Sequence, residues 1–297
     1  MRYTKQAIPL SEQIRILRER GLIFDDETLA EQKLGFISYF RLANYWRPLE
    51  LDEHTHQFRP QSTFQDVINR YQFDKELKSL LFTAIQTIEI AVRSKMIQHF
   101  SATHGAFWFM DSSLFIDDAL FDKHILRLRQ EVARSQESFI RQHFRQYDTP
   151  DLPPVWKTLE VVSLGTLSKL FSNFIDKDAK DLVAADFRLP QHIVLESWLE
   201  SLTSLRNFIA HHARIWNRRF PQKPELLRRS RYPWITNRPQ QPFKLFPILC
   251  CITYWLNAID TRNTFAADFK ALLVKYPNIE VRLMGFPAGW RDEALWK

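Results

Sequence analysis

The stretch Arg206-Asn207-Phe208-Ile209-Ala210-His211 holds the residue types that metal-independent phosphodiester chemistry needs. A histidine that titrates near neutrality takes a proton from a ribose 2′-OH or gives one to the departing 5′-oxygen. A guanidinium holds two phosphate oxygens and offsets the extra charge of a pentacoordinate transition state. Asn207, one helical turn before His211, is placed to orient the imidazole or donate to phosphate. Such a set would leave a 2′,3′-cyclic phosphate and a 5′-OH. Arg-x4-His is a short pattern that occurs by chance in basic proteins, so its surroundings carry the weight.

The expected carrier is a helix that follows Pro190 and runs from Gln191 to about Asn217. At about 100° per residue, His211, Arg214 and Arg218 fall within about 40° of Asn207, on one stripe. Leu202, Leu205, Ile209 and Trp216 gather on the opposite face, which is expected to be buried. Arg206 sits about 140° from His211, so the pair works better when two such helices face one another and pool their residues. His212 points about 100° away from His211, and its reading stays open between the site and a polar core histidine.

Charge concentrates around the same stretch. The chain has 41 Lys+Arg against 34 Asp+Glu, a net +7. From Arg206 to Arg238 there are nine basic residues and one acid, Glu225. That segment more than accounts for the excess and points to a polyanionic partner. A basic loop is expected at about 218–247. The RNA-binding set read from it is Arg214, Arg218, Arg219, Trp216, Arg228, Arg229 and Arg231. Trp216, Phe220, Tyr232 and Trp234 interleave with the arginines and have the rings to stack on bases.

The remaining elements are helical in expectation. Only 6 glycines occur, against 24 phenylalanines and 9 tryptophans, and no alternating strand pattern of useful length is present. The fold class expected is all-α, with an N-terminal helical region at 1–60 and a larger helical domain at 61–297. Leu77, Leu80, Leu81, Ala84, Ile85, Ile88, Val92 and Met96 form the apolar stripe of a helix from about Thr63 to Phe100. On that helix Glu89 and Arg93 read either as a surface ion pair or as groups beside the site. Helical tracts are also expected at 114–147, Trp156–Phe174 and Ile248–Tyr276.

Other chemistries lack their signatures. Asp52, Glu53, His54 and His56 lie in a polar loop and read as solvated rather than as metal ligands. No Gly-rich phosphate loop, Gly-x-Ser-x-Gly elbow or carboxylate cluster is present, so neither metal nor cofactor is expected. The two cysteines, Cys250 and Cys251, are adjacent and read as free thiols in a reducing compartment. No apolar run resembles a signal peptide or reaches the ~20 residues of a membrane span. A cytoplasmic protein with no membrane contact is expected.

At this point the sequence resembles a known family. Leu205-Arg206-Asn207-Phe208-Ile209-Ala210-His211-His212-Ala213-Arg214-Ile215-Trp216-Asn217 resembles the signature of the Abi-like proteins, the AbiD/AbiF group of abortive-infection phage-resistance factors. Ile37-Ser38-Tyr39-Phe40-Arg41-Leu42-Ala43-Asn44-Tyr45-Trp46 resembles the family's N-terminal block. Tyr71 to Leu77 with Ile88-Glu89-Ile90-Ala91-Val92-Arg93 resembles its second. Pro153-Pro154-Val155-Trp156, Glu160 and Leu164-Gly165-Thr166-Leu167-Ser168 resemble its third.

The resemblance implies a HEPN-type helical bundle, with Arg206 and His211 in the catalytic positions and Asn207 as their polar neighbour. It also implies a homodimer, because one motif per chain builds half of a composite site. An RNA or protein antitoxin is a further implied partner. Two functions follow as expectations: a phage-defence endoribonuclease, or a non-catalytic RNA-binding protein that forms a ribonucleoprotein with a structured or guide-like RNA.

Overall fold

A computed structural model describes residues 2, 6–52 and 54–297; Met1, Tyr3, Thr4 and Lys5 lie outside the described residues, as does Glu53 of the polar loop. Among the described residues there are twelve α-helices, short 3-10 turns and isolated β-bridges, with no strand. The protein is all-α. No helix among those residues is long and apolar enough to cross a membrane. The chain divides into two compact units, Met1–Ser79 with Phe269–Glu280, and Leu80–Asp268 with Val281–Lys297.

The first unit holds α1 (Leu10–Glu19), α2 (Glu27–Ile37), α3 (Tyr39–Trp46), the start of α4 (Phe64–His104) and most of α12 (Phe265–Lys275). Asp26 opens α2 by accepting from the Leu29 N–H at 2.9 Å, relieving one orphan donor of the first turn. Ser38, at φ 72°, turns the chain from α2 into α3 and caps α3. Asp74 is 0% exposed and accepts from the Tyr45 hydroxyl at 2.7 Å and the Lys78 ammonium at 3.0 Å. A buried carboxylate is tolerable only with such partners. Two of the sequence blocks therefore meet on one buried acid. In the polar loop Asp52 accepts from the His54 and Thr55 N–H groups at 2.8 Å, and His56 lies 3.1 Å from Glu50. Those groups hold the loop together.

The second unit contains the rest of α4, then α5 (Asp118–Arg134), α6 (Ser138–Gln146), α7 (Val155–Thr158), α8 (Leu164–Asn173), α9 (Lys177–Asp186), α10 (His192–Ala210) and α11 (Leu245–Ile259). The α4 stripe is buried as its spacing requires: Ile85, Ile88, Val92, Met96 and Phe100 are all nearly inaccessible. Helix α10 packs on α8, α9 and α11, and α5 packs on α8. Three histidine–aspartate pairs hold α9 at its neighbours. His104 meets Asp176 at 2.7 Å, His192 meets Asp181 at 2.7 Å, and His99 meets Asp186 at 2.8 Å.

Four expected helices are shorter or divided. The tract at 114–147 breaks between Arg134 and Ser138 into α5 and α6. The tract at Trp156–Phe174 breaks because Ser163 caps a new helix, accepting from the Thr166 N–H while its own hydroxyl reaches Glu131 of α5 at 3.1 Å. The last apolar tract breaks at Asp260, whose carboxylate and carbonyl take the Arg262 and Asn263 N–H groups in a turn. Helix α10 ends at Ala210, not near Asn217. Its end is a Schellman motif: the Ala213 N–H returns to the Phe208 carbonyl and the His212 N–H to the Ile209 carbonyl, both at 2.9 Å.

Candidate functional site

The end of α10 sets the site. Leu195, Trp198, Leu199, Leu202, Leu205 and Ile209 are buried and fix the rotation of the helix. That rotation leaves Asn207 and His211 exposed and Arg206 half-buried. His211 is the C-cap residue, its N–H bonded to the Asn207 carbonyl at 3.0 Å, so the two remain one turn apart on one edge. His212 occupies the left-handed position that closes the motif, at φ 54°. Glycine usually fills that place because a Cβ is strained there. His212 is therefore a backbone residue of the turn, and its ring is exposed rather than in the core.

Because the helix stops at Ala210, Arg214 and Arg218 are not on its stripe. The chain instead folds back. Ile215 and Trp216 are 0% exposed and Phe220 is 1% exposed, and these three anchor the returning segment. Arg218 donates to the Arg214 carbonyl and lays its guanidinium over the Phe208 ring, 4.2 Å from the centroid. Phe208 in turn meets Phe220 edge-on at 5.8 Å. Arg218 thus returns to the last turn of α10 through tertiary contacts.

A basic surface continues from there. Arg219 lies over Phe243 at 4.4 Å, with Lys223 on the same ring at 5.9 Å. Lys244 donates to Asn217 at 2.7 Å. Burial lowers the Lys244 ammonium below its usual range, and the charges of Arg214 and Arg219 lower it further. Three cations are thus crowded together on this surface. Lys244 and Phe243 were not among the residues read from sequence. They meet Arg219, Lys223 and Asn217 only through the fold, so no spacing in the sequence marks them.

Arg206 faces a different environment. Its charge acts on Glu89 of α4, whose carboxyl burial pushes above the usual range against the pull of Arg93 and Arg206. Arg93 is only 7% exposed and donates to Glu89 at 3.1 Å and to the Val162 carbonyl at 3.2 Å, with Glu160 at 3.6 Å. Of the two readings of Glu89 and Arg93, the surface ion pair is excluded by this burial. They form a partly buried network beside Arg206. Among the described residues no hydrogen bond or ion pair joins Arg206 to His211 within one chain.

The aromatic readings need correction. Trp216 and Phe220 are core, and Trp234 is 9% exposed and stacked on Trp198 at 5.9 Å. Trp216 and Phe220 offer no open face to a base, and Trp234 gives one ring face to Trp198 while lining a groove with the other residues of its loop. Tyr232 is 43% exposed, with Arg188 over its ring at 4.5 Å. Arg228, Arg229 and Arg231 are exposed on the loop beyond. That loop is anchored from within. The Trp198 indole donates to the Glu225 carbonyl at 2.7 Å, and Glu293 accepts from the Thr236 and Asn237 N–H groups at 2.6 and 2.8 Å. Burial pushes the Glu293 carboxyl upward, but those donations outweigh it and hold the group below its usual range.

The family model described as Abi-like protein matches residues 32–217, more than half of the chain. The chain belongs to the Abi-like family. Membership suggests a role in abortive-infection defence against phage. The Abi-like region starts within α2, takes in the Tyr45–Asp74 bond, the Glu89–Arg93 network and Arg206 to His211, and stops at Asn217. The basic loop at 218–247 and helices α11 and α12 lie beyond the Abi-like match. No curated protein and no solved structure matches the chain.

Proposed function

We propose that this Abi-like protein is an RNA-binding endoribonuclease of the HEPN type that acts in abortive-infection defence. The observation that carries the reading is the exposed Asn207–His211 edge at the end of α10, with Arg206 on the same turns and a basic surface folded back beside it. His211 takes the proton of a ribose 2′-OH, whose oxygen attacks phosphorus. The P–O5′ bond breaks, the 5′-oxygen takes a proton, and the products are a 2′,3′-cyclic phosphate and a 5′-OH. Arg206 stabilises the charge gathering on the phosphate oxygens, and Asn207 orients the imidazole. Because Arg206 and His211 diverge around the helix, two copies of the chain pair so that one supplies what the other lacks.

The test is cleavage of a labelled RNA in EDTA by the parent, Arg206→Ala and His211→Ala proteins, with circular dichroism to show that each is folded. Loss of about 100-fold or more in each folded variant, with cyclic-phosphate ends on the parent's product, is the expected result. Equal cleavage by the variants would refute the assignment. A second reading is favoured by the basic surface of Arg214, Arg218, Arg219 and Lys244, which needs no part of the Arg206–His211 set to hold an anion: an RNA-binding protein that forms a ribonucleoprotein without cutting. Tight, steeply salt-dependent RNA binding with no cleavage would support it.

A further inference from the structure

The segment between Leu226 and Arg238 forms a groove of about 370 Å³, closed on one side by Ala294. Its floor is apolar: Leu227, Trp234 and Ile235 are each below one-tenth exposed. The Trp234 indole is fixed by donating to the Leu227 carbonyl at 3.2 Å. Its rim carries Arg228, Arg229 and Arg238, all exposed. Among the described residues none of these three pairs with a carboxylate. Glu293, which holds the loop by accepting from the Thr236 and Asn237 N–H groups, forms no ion pair with any of the three. Ser230 is held within the groove, 3.3 Å from the Tyr254 hydroxyl, which itself donates to the Arg188 carbonyl at 2.8 Å.

An indole and aliphatic floor under three guanidiniums has two demands of a ligand. It must bring a flat apolar body and a cluster of anionic oxygens, which guanidinium binds in pairs. The volume lies near the lower end of ligand pockets, about 300–1,000 Å³, and suits one nucleotide rather than a duplex. We propose that this groove binds a nucleoside phosphate, with its base on the floor of Trp234 and Ile235 and its phosphates on Arg228, Arg229 and Arg238. The same chemistry is offered by a free nucleotide and by one residue of a single-stranded RNA. The groove shares no lining residue with the Asn207–His211 edge, and its occupancy does not depend on cleavage there.

Calorimetry of the full chain with ADP, adenosine and inorganic phosphate as separate probes tests this. ADP is expected to bind at concentrations up to about 1 mM, and both fragments at least about tenfold more weakly. The triple variant Arg228→Gln, Arg229→Gln, Arg238→Gln, altered only at exposed positions, should lose at least about tenfold in ADP affinity with its circular dichroism unchanged. A hexauridylate added to the ADP complex separates the two sources: displacement assigns the groove to an RNA residue, and simultaneous binding assigns it to a free nucleotide. Adenosine binding as well as ADP, an unchanged affinity in the triple variant, or no ADP binding at about 1 mM would overturn the proposal. Because no readout involves cutting, an inactive His211 edge would leave the result intact.

Discussion

Replacing Arg93 with methionine keeps most of the apolar stem and removes the guanidinium. In the parent that group is 7% exposed and donates to Glu89 and to the Val162 carbonyl. Breaking a buried pair costs about 3–5 kcal/mol, mostly because the remaining charge is stranded. Glu89 retains 18% of its side-chain exposure and the nearby charge of Arg206, so the expected loss is at the lower end, about 3 kcal/mol. Adding Glu89→Gln removes the stranded charge and should restore about 1 kcal/mol or more, a coupling typical of contacting residues. The pH dependence follows from the raised Glu89 pKa. A raised carboxyl binds its proton more tightly when folded, so its contribution favours the fold at low pH and is lost as pH rises through the folded value. Without Arg93 the pKa rises further, and the penalty of the variant should shrink as pH falls through the raised folded value. Urea unfolding followed by tryptophan fluorescence, on the parent and both variants at about pH 5 and about pH 7.5, measures all three quantities. A loss below about 0.5 kcal/mol, or no rescue by Glu89→Gln, would return the pair to the weak surface kind and refute the network.

His212→Gly relieves a left-handed residue and should raise stability by about 0.5–1 kcal/mol while leaving cleavage at the parent rate; lost cleavage would show that the ring takes part in the chemistry. Trp216→Ala should cost about 3–5 kcal/mol in the same unfolding assay, and a stable variant with weakened RNA binding would mean that the indole faces the ligand after all. On α9, burial raises Asp176, Asp181 and Asp186, but the hydrogen bonds they accept outweigh it and leave each carboxyl lowered. Their stabilisation is present above the unfolded value of about 3.9 and is lost as pH falls through the lower folded values, so Asp181→Asn should flatten the acid limb of a stability–pH curve there; an unchanged limb would contradict the pairing.

The apolar stripe of α4 and the buried face of α10 were legible because each follows helical spacing over many turns, and packing obeyed it. The end of α10 was not. Ile215, Trp216 and Phe220 continue the apolar rhythm past Ala210, yet they are buried by the returning chain and not by a helix. The stop signal is His212 in a left-handed conformation, a place where sequence reading looks for glycine. The same error put Arg214 and Arg218 on a helical stripe, while Trp216, expected on the buried face, is buried; its outward reading came only from its place among the arginines. Arg206, Asn207 and His211 escaped it because they precede the break. The burial of Arg93 was hidden for a different reason: its partners Val162 and Glu160 are distant in sequence, and spacing on one helix cannot report them.

Arg218 and Arg219 rest on phenylalanine rings, where cations more often meet carboxylates. A carboxylate would immobilise each side chain and cancel its charge. A ring immobilises it and leaves the charge whole. Much of the rotamer entropy of these two arginines, about 2 kcal/mol each in a free side chain, has therefore been surrendered during folding and need not be given up again when an anion arrives. An anion arriving at the end of α10 would meet a fixed, uncancelled field, and the aromatic residues there would favour its binding without touching it.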